Sequence, residues 1–484
     1  MHRRKESRRM GGKHILIIFT DQQRRDTIGA FGNSCIRTPN LDRLSEDAVV
    51  FENCITPSPV CVPARLSMLA GQYPNRTGCN NNNAENVYDG EGFYSILSKA
   101  GYESCCVGKM HHLKDPYGSM GFNKRYTQEE LSAQEDDYTK FILENYPWVF
   151  DYHGMRSEMY YVPQISQLPP KAHPSQWVGD HSVNYIREYD SDKPMLLMAS
   201  FVHPHPPFAP PAPWNKLYRD DPPGPFCPEM QGLETFQSLI GDRCSLSRLM
   251  ISSQDLLRMK NYYYACVSFV DYQVGRILEA LKDTGMYEDT LILFTSDHGD
   301  MMGDYQAVGK RSMVDPSCHI PFMIRYPGWK KEVRTDVCSL VDVAPTLLSY
   351  AGIPWEQEAY DGVDLFGDKK HDYVYSQHGC GEDGTYMVTD GAKKLVYKAC
   401  EKQYYYFEQI PEICNTYSEK NPDTVVMKEQ LDAYRIRDRN KADSSRTYEK
   451  YTKLHPHYPG RMDHTMRHEE EKAAVPPEYQ IDLD

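Results

Sequence analysis

Four short runs of mostly apolar residues limit how this chain can fold. The runs are His14–Phe19, Glu103–Val107, Pro194–Phe201 and Thr290–Ser296. Runs of this length without regular polar alternation suit strands that are buried on both faces, as in a parallel sheet covered by helices. Helical patterns lie between them, including Ser175–Tyr189 and Gln254–Asp283. The pattern predicts an α/β fold.

Charged and polar side chains follow each run, where the strand would end. In chain order they are Asp21 and Gln22, Lys109 and His111, His205, and Asp297 and His298. Ligands of open α/β sheets bind beyond the carboxyl ends of the strands, so Asp21 and Gln22 lie where a metal ion could be held. Taken alone, however, Asp21 is better explained as a helix cap, and a lysine or histidine in a loop by exposure to solvent.

The segment Cys61-Val62-Pro63-Ala64-Arg65 places a thiol at the start of a short helical pattern. Pro63 lacks a backbone N–H and has a preset φ, so it suits a first helical turn. Cys61 would then lie where free N–H groups and the helix dipole favour an anion, with Arg65 one turn further on. A buried structural cysteine is the simpler explanation of a single Cys. A thiol, an anion-binding helix start and an arginine together indicate chemistry on an oxyanion ester.

The run from Cys61 to Gly71 resembles the sulfatase signature, Cys-x-Pro-x-Arg-x-x-x-Leu-(Thr/Ala)-Gly. In that family, which belongs to the alkaline phosphatase superfamily, a maturase oxidises the cysteine to formylglycine. Three further stretches are similar to family motifs: Gly108-Lys109-Met110-His111, Pro204–Phe208, and Asp297-His298-Gly299 followed by Gly309-Lys310-Arg311. The resemblance covers most of residues 13–352 and, more weakly, the part that follows.

The resemblance implies a hydrolase, a sulfatase that releases inorganic sulfate from a sulfate ester through formylglycine at Cys61. Arg65, Lys109 and Lys310 would offset the charge of the sulfate. By the same resemblance, His205 with Lys310 would protonate the leaving oxygen, and His111 would lie near the formylglycine hydroxyls as a base.

One divalent cation is also implied by the resemblance. Its expected ligands are Asp21, Gln22, Cys61, Asp297 and His298. Ca²⁺ is the first choice by family, and Mg²⁺ or Mn²⁺ are alternatives, because an imidazole ligand departs from an all-oxygen set.

Two positions depart from the commonest sulfatase pattern, which has Asp-Asp at the first strand end and Asp-Asn at the fourth. This chain has Asp21-Gln22 and Asp297-His298. The same variants appear in relatives that cleave phosphonate monoesters and phosphodiesters with formylglycine, so a phosphorus-ester hydrolase is the alternative enzyme. A member that binds anionic glycans without turnover is the non-enzymatic alternative.

Loops outside the apolar runs are expected to determine which substrate the protein binds. The segments 76–92, 114–180 and 206–250 are long and rich in Tyr, His and Asn. That composition favours a sulfated carbohydrate over an aryl or choline sulfate.

Charge and cysteine content bear on partners and compartment. The 484 residues carry a formal net charge of −14, which argues against a nucleic-acid-binding protein, so an anionic substrate needs a local cationic pocket. The 14 cysteines show no metal-finger spacing and are expected to be reduced. Residues 1–13 are basic without an apolar core, and no run is long enough to span a membrane, so we expect a cytoplasmic protein. The resemblance implies the maturase as its protein partner.

The pattern and the resemblance together divide the chain. We expect a disordered basic arm over 1–12 and a catalytic α/β domain over 13–370, with a large mixed, mostly parallel sheet flanked by helices. A smaller C-terminal α+β domain should span 371–454, where short strands replace the long apolar runs. A charged tail should follow over 455–484.

Overall fold

Two β-sheets organise the part of the chain that the structure describes. A computed structural model describes residues 13–82, 88, 90–111, 116–130, 135–156, 160–219, 237–240, 246 and 249–437. The first sheet has eight strands and the second has four. The predicted arm over 1–12 and tail over 455–484 lie outside the described residues.

The large sheet is mixed and mostly parallel, as expected. Its strands are β1 (His14–Asp21), β2 (Val49–Ile55), β3 (Glu103–Gly108), β4 (Lys124–Thr127), β5 (Met195–Pro204), β6 (Thr290–Ser296), β7 (Phe322–Arg325) and β8 (Glu332–Ser339). They lie in the order β4-β3-β5-β1-β6-β7-β2-β8. Strands β4, β3, β5, β1 and β6 run parallel to one another, and β7 is antiparallel to both of its neighbours.

Helices cover both faces of the large sheet. The described helices are α1 (Pro39–Ser45), α2 (Cys61–Ala70), α3 (Pro74–Thr77), α4 (Phe93–Lys99), α5 (Asp137–Asn145), α6 (Pro174–Glu188), α7 (Gln237–Ile240), α8 (Ser253–Asp283), α9 (Asp315–Cys318), α10 (Val343–Ala351) and α11 (Pro422–Ile436). Leu16 and Ile18 of β1 pack with α1, α5, α6 and α8, whereas Ile15, Ile17 and Phe19 pack with α2, α4 and α10. Because side chains alternate along a strand, both faces of β1 are buried, which explains its continuous apolar sequence.

The four-stranded sheet is antiparallel, in the order β12-β11-β10-β9. Its strands are β9 (Val374–His378), β10 (Thr385–Thr389), β11 (Lys394–Lys398) and β12 (Gln403–Phe407). One face packs on α11 through Leu395 and Leu431. The other face packs Met387 and Tyr405 against Tyr305 of the segment that follows β6. Both sheets fall within the predicted domains, whose exact boundaries stay a prediction.

Among the described residues, the helices are too short or too polar to cross a bilayer.

A buried ion pair joins the small sheet to the segment that follows β6. Lys394 of β11 bonds the carboxylate of Glu412, and both side chains are fully buried. Glu412 also accepts hydrogen bonds from the Tyr305 hydroxyl at 2.6 Å and from the Asp315 backbone N–H at 3.0 Å. One carboxylate therefore fixes β11 against the segment between β6 and α9.

Replacing Glu412 with Gln should destabilise the protein. The substitution keeps the side-chain shape but removes the carboxylate that bonds the buried Lys394 ammonium, and breaking a buried pair in this way typically costs about 3–5 kcal/mol. We expect a clearly lower urea midpoint and Tm. The double variant E412Q/K394M contains no buried lone charge and should recover part of the loss. Equal stability of E412Q and the parent protein would contradict this role for the ion pair.

Candidate functional site

The carboxyl ends of β3, β5, β1 and β6 lie side by side, because these four strands are adjacent and parallel. Asp21 ends β1, and Lys109, His205 and Asp297 directly follow β3, β5 and β6. All four side chains are buried. The structure therefore brings together groups that are up to 276 positions apart in the sequence, at the sheet edge where ligands of α/β proteins bind.

Cys61 is the first residue of α2, and it faces this edge. The chain enters the helix through extended Val60, and all ten residues of α2 are buried. The Cys61 Sγ lies 2.8 Å from Lys310 Nζ, 3.2 Å from His298 Nε2 and 3.8 Å from Asp21 Oδ1. The thiol thus occupies the centre of the cluster, at the end of the helix whose free N–H groups favour negative charge.

Arg65 lies one turn along α2 and joins two of the strand ends. Its Nη2 pairs with Asp21 Oδ2 and its Nε with Asp297 Oδ2, both at 2.9 Å. Its Nη1 donates to the backbone oxygen of Lys109 at 3.0 Å, and the guanidinium lies 4.7 Å from the Phe19 ring centroid. With the side chain almost fully buried, Arg65 holds the acidic residues in place from beneath the site.

Lys109 and His111 approach Cys61 from the end of β3. The Lys109 Nζ lies 2.7 Å from Asp21 Oδ2 and 2.8 Å from Glu130 Oε2. The His111 backbone N–H donates to Glu129 Oε2 at 3.1 Å, and its backbone has a φ of +57°. Its Nδ1 is buried and without a partner among the described residues.

His205 stands between Asp21 and a second carboxylate, Glu130. Its Nδ1 lies 2.7 Å from the Pro206 carbonyl and 3.6 Å from Glu130 Oε1. Its Nε2 lies 3.2 Å from the Tyr160 hydroxyl and 4.0 Å from Asp21 Oδ1. The Nδ1 must carry a proton to bond the Pro206 carbonyl, so the Nε2 faces the site.

The charges around Cys61 favour an anion there. Burial alone would raise the pKa of the thiol, but Lys310, His298 and Lys109 hold that pKa well below its usual range. Burial and the negative Cys61 oppose ionisation of Asp21, yet Lys109, His205 and Arg65 hold the pKa of that carboxyl below its usual range. The site therefore offers local positive charge within an acidic protein.

One group of His, Cys, Asp and Glu side chains among the described residues could hold a metal ion. Its members are Asp21, Cys61, Asp297 and His298, whose candidate ligand atoms all lie within 4.8 Å of one another. The His298 Nδ1 lies 2.9 Å from the Gly299 carbonyl, so its Nε2 can present a lone pair to an ion.

Gln22 supplies a further observation that fits a cation. Its Oε1 is buried and has no hydrogen-bond partner among the described residues, while its Nε2 donates to Asp300. The backbone N–H of Gln22 donates to Asp297 Oδ1 at 2.9 Å, and the Tyr263 hydroxyl donates to its carbonyl at 2.7 Å. A buried side-chain oxygen without a donor, on a residue that contacts the carboxylates of Asp297 and Asp300, is what a divalent cation would satisfy.

Several site residues escape sequence analysis. Asp300 directly follows the Asp297-His298-Gly299 motif, but only its contact with Gln22 indicates a role for it. Glu130, Arg156 and Tyr160 lie on either side of α5 in the stretch between β4 and α6, where the sequence shows no functional motif. Their roles arise from contacts across the fold, so no local pattern indicates them.

Comparison with known proteins identifies the family. A family model described as Sulfatase matches residues 13–353. The chain belongs to the sulfatase family. Members of the family are hydrolases of sulfate esters, so the protein is an enzyme of that class.

Individual relatives agree with this membership. The arylsulfatase of Clostridium perfringens is 33% identical over 431 residues, which cover 82% of this chain and 88% of that protein. The choline-sulfatase of Rhizobium meliloti is 29% identical, over 88% of this chain and 86% of that protein. Among solved structures, the phosphonate monoester hydrolase of Silicibacter pomeroyi has a TM-score of 0.76 and 22% identity, covering 88% of this chain and 96% of that chain, which shows a shared fold.

Replacing Asp300 with Asn should weaken cation binding by this sulfatase. The Asp300 Oδ1 accepts from the backbone N–H groups of Met302 and Gly309, so the new amide nitrogen would face Gln22. The Gln22 amide would then turn its NH₂ group, instead of its oxygen, towards the cation ligands. We expect about a 10- to 100-fold loss of Ca²⁺ affinity, measured by calorimetric titration of metal-stripped protein.

Asp304 provides a matched control on the same segment. Its carboxylate pairs with Arg24 at 2.7 Å and does not belong to the cation cluster. D304N should keep the Ca²⁺ affinity of the parent protein. Parent-like affinity in D300N would contradict the assigned orientation of Gln22.

Proposed function

We propose that this protein hydrolyses a carbohydrate sulfate ester and releases inorganic sulfate, using formylglycine derived from Cys61 and one divalent cation. The observation that carries the proposal is the position of Cys61. Its Sγ lies at a helix N-terminus, within 3.2 Å of both Lys310 and His298 and among the candidate cation ligands. As a hydrated aldehyde, the oxidised residue supplies one hydroxyl to attack sulfur and a second to release sulfate.

Lys109 and Lys310 are the proposed sulfate-binding cations. Each ammonium lies beside Cys61 or beside Asp21, so a sulfate group placed next to Cys61 would meet positive charge on two sides. Positive groups that are already in place stabilise the charge that develops as the ester bond breaks. Arg65 acts in this proposal by holding Asp21 and Asp297, because both of its carboxylate contacts are buried beneath the site.

Two histidines are proposed to move protons. His205, with Lys310 nearby, would act as the imidazolium: its Nδ1–H stays on the Pro206 carbonyl, and its Nε2, which faces the site, would give its proton to the leaving oxygen. His111, which helps to hold the pKa of the Cys61 thiol below its usual range, would accept a proton when sulfate is released. Positioned groups of this kind typically contribute about 10²- to 10⁴-fold to a rate.

Asp21, Gln22, Asp297 and His298 are proposed to hold the cation together with the modified Cys61. Three of these residues offer oxygen and one offers nitrogen, which suits Ca²⁺ first and leaves Mg²⁺ and Mn²⁺ possible. When bound, the cation would polarise the nucleophile and the sulfate oxygens.

Oxidation of Cys61 is the first test. The protein should be produced in a host that contains a formylglycine-generating maturase, and the peptide that spans Cys61 analysed by mass spectrometry. We expect the mass of an aldehyde or its hydrate in place of a thiol, and turnover of a sulfate ester by the same preparation. Cys61→Ala should lose all turnover.

Two results would contradict the proposed nucleophile. One is an unmodified thiol in a preparation that hydrolyses sulfate esters, and the other is parent-like turnover by Cys61→Ala. Tight binding of sulfated sugars by modified protein without any turnover would instead support a glycan-binding member of the family.

A phosphonate monoester hydrolase is the second candidate function. Gln22 and His298 stand where most sulfatases have an aspartate and an asparagine, and the fold is shared with a phosphonate monoester hydrolase. Sulfate monoesters and phosphonate monoesters are both monoanions at neutral pH, so the positive charges of the site suit either.

Parallel initial-rate assays separate the two functions. One modified preparation should be offered 4-nitrophenyl sulfate, 4-nitrophenyl phenylphosphonate, choline sulfate and a panel of monosaccharide sulfates at equal concentrations. We expect kcat/KM to be higher for a sugar sulfate than for either aryl ester. A dominant phosphonate rate would overturn the sulfatase proposal, and a dominant aryl or choline sulfate rate would overturn the carbohydrate assignment.

A further inference from the structure

The largely buried carboxylate of Glu130 contacts two of the proposed site residues at once. Its Oε2 lies 2.8 Å from Lys109 Nζ, and its Oε1 lies 3.6 Å from His205 Nδ1. The Glu130 side chain is 11% exposed, whereas those of Lys109 and His205 are 0% and 2% exposed. The carboxylate therefore stands between the end of β3 and the end of β5.

Arg156 fixes the position of Glu130. Its Nη1 lies 2.7 Å from Glu130 Oε1, and its Nη2 donates to the Glu130 backbone oxygen at 3.2 Å. The guanidinium also lies 5.8 Å from the ring centroid of Tyr160, whose hydroxyl contacts His205 Nε2. Glu130, Arg156, Tyr160 and His205 thus form a closed ring of contacts, supplied largely by the segment between β4 and α6.

The ring of contacts determines how the His205 imidazole is oriented. The Nδ1 meets the Pro206 carbonyl and Glu130, both of which accept a proton, so the Nδ1–H is held on that side. The Nε2 must then face Tyr160 and Asp21. A rotation of the ring by half a turn would bring a carbon atom against Glu130 and lose the bond to the Pro206 carbonyl.

Lys109 depends on Glu130 in a similar way. A lysine side chain is long and flexible, and its ammonium has no directional preference of its own. Here the Nζ is held between Asp21 Oδ2 and Glu130 Oε2. Without Glu130, Asp21 would be the one carboxylate of this pair left to hold the ammonium, and the Nζ could turn about that single contact away from its present position.

We propose that Glu130 is a positioning residue of this enzyme: it holds the Lys109 ammonium and the His205 imidazole in one fixed arrangement, so that the His205 Nε2 faces the leaving oxygen. This inference rests on the proposed function, because it takes the roles of Lys109 and His205 from it. A Glu130 that served only to neutralise Arg156 and Lys109 would affect stability and nothing else.

The test compares esters that differ in their leaving groups. A leaving phenolate with a 4-nitro group needs little protonation, whereas one with a 4-methoxy group depends on it more strongly. The 4-nitrophenyl and 4-methoxyphenyl esters should be assayed as sulfates and as phenylphosphonates, with formylglycine-containing protein. We expect Glu130→Gln to lower kcat for the 4-methoxyphenyl ester at least about tenfold more than for the 4-nitrophenyl ester.

A change in this ratio is a result that a structural role would not produce. Asp271 offers the control, since it is a buried carboxylate on α8 that accepts hydrogen bonds from Asn40 and Leu41, outside the site. Asp271→Asn should lower Tm and leave the ratio between the two esters unchanged. A Glu130→Gln variant that also lowers Tm with an unchanged ratio would overturn the proposal.

A second variant tests the same proposal in case Glu130→Gln does not fold. Arg156→Gln leaves Glu130, Lys109 and His205 in place but removes the contact that fixes the carboxylate, so it should shift the ratio in the same direction by a smaller factor. In a His205→Gln background, Glu130→Gln should add less than about twofold to the ratio, because groups that act as one unit are not additive. Additive effects in that background would contradict the proposal.

The outcomes distinguish this inference from the proposed function. Hydrolysis of the phosphonate pair alone would overturn the sulfatase assignment, and the leaving-group comparison would still test Glu130 with those esters. Hydrolysis of the sulfate pair with an unchanged ratio in both Glu130→Gln and Arg156→Gln would overturn the role of Glu130 alone.

Discussion

The site depends on one buried arrangement of charge, in which Arg65 lies between Asp21 and Asp297. The two carboxylates end neighbouring parallel strands, so the sheet forces like charges together. Arg65 pairs with the Oδ2 atom of each. The Oδ1 atoms face Cys61 and His298. Asp21 Oδ1 lies 3.8 Å from Cys61 Sγ and 4.0 Å from His298 Nε2, and Asp297 Oδ1 lies 3.6 Å from His298 Nε2. One guanidinium thereby balances part of the negative charge and also decides which oxygen atoms remain for a cation.

Rigid elements supply nearly all of the groups that handle charge. The strand ends cannot move independently, because each strand is paired on both sides and buried on both faces of the sheet. Lys310 is different, since it lies on an irregular segment between β6 and α9. That segment packs on the small sheet and is bound to it by Glu412 through Tyr305 and Asp315. The small sheet therefore supports the segment that carries Lys310, although none of its described residues is among the contacts given for Cys61.

Sequence alone predicts the buried strands and the helix start at Cys61, because their requirements are local. An apolar run such as His14–Phe19 is compatible with few structures other than a strand that is buried on both faces of a sheet. The helices over Ser175–Tyr189 and Gln254–Asp283 were confirmed to within a residue or two. The antiparallel β7 was not foreseen as such, since strand direction depends on the path of the chain in space. Glu130 shows the same limit for function: it becomes a site residue only when β3, β5 and the segment after β4 meet.

The residues at the strand ends and the residues near the leaving group would have different tasks in the reaction. The groups at the strand ends meet the anionic centre of the ester, and they would treat a sulfate and a phosphonate monoester alike, because both carry one negative charge in a tetrahedral group. Selection must then come from residues that meet the leaving alcohol. Tyr160 contacts His205, which is the proposed donor to that oxygen, and Arg156 lies over the Tyr160 ring; both residues belong to the segment between α5 and α6. Glu130 contacts Arg156 as well as Lys109 and His205, so it connects the segment that would meet the leaving alcohol with the residue that would protonate it. A substitution that alters the preference for a leaving group would therefore also alter protonation of the leaving oxygen.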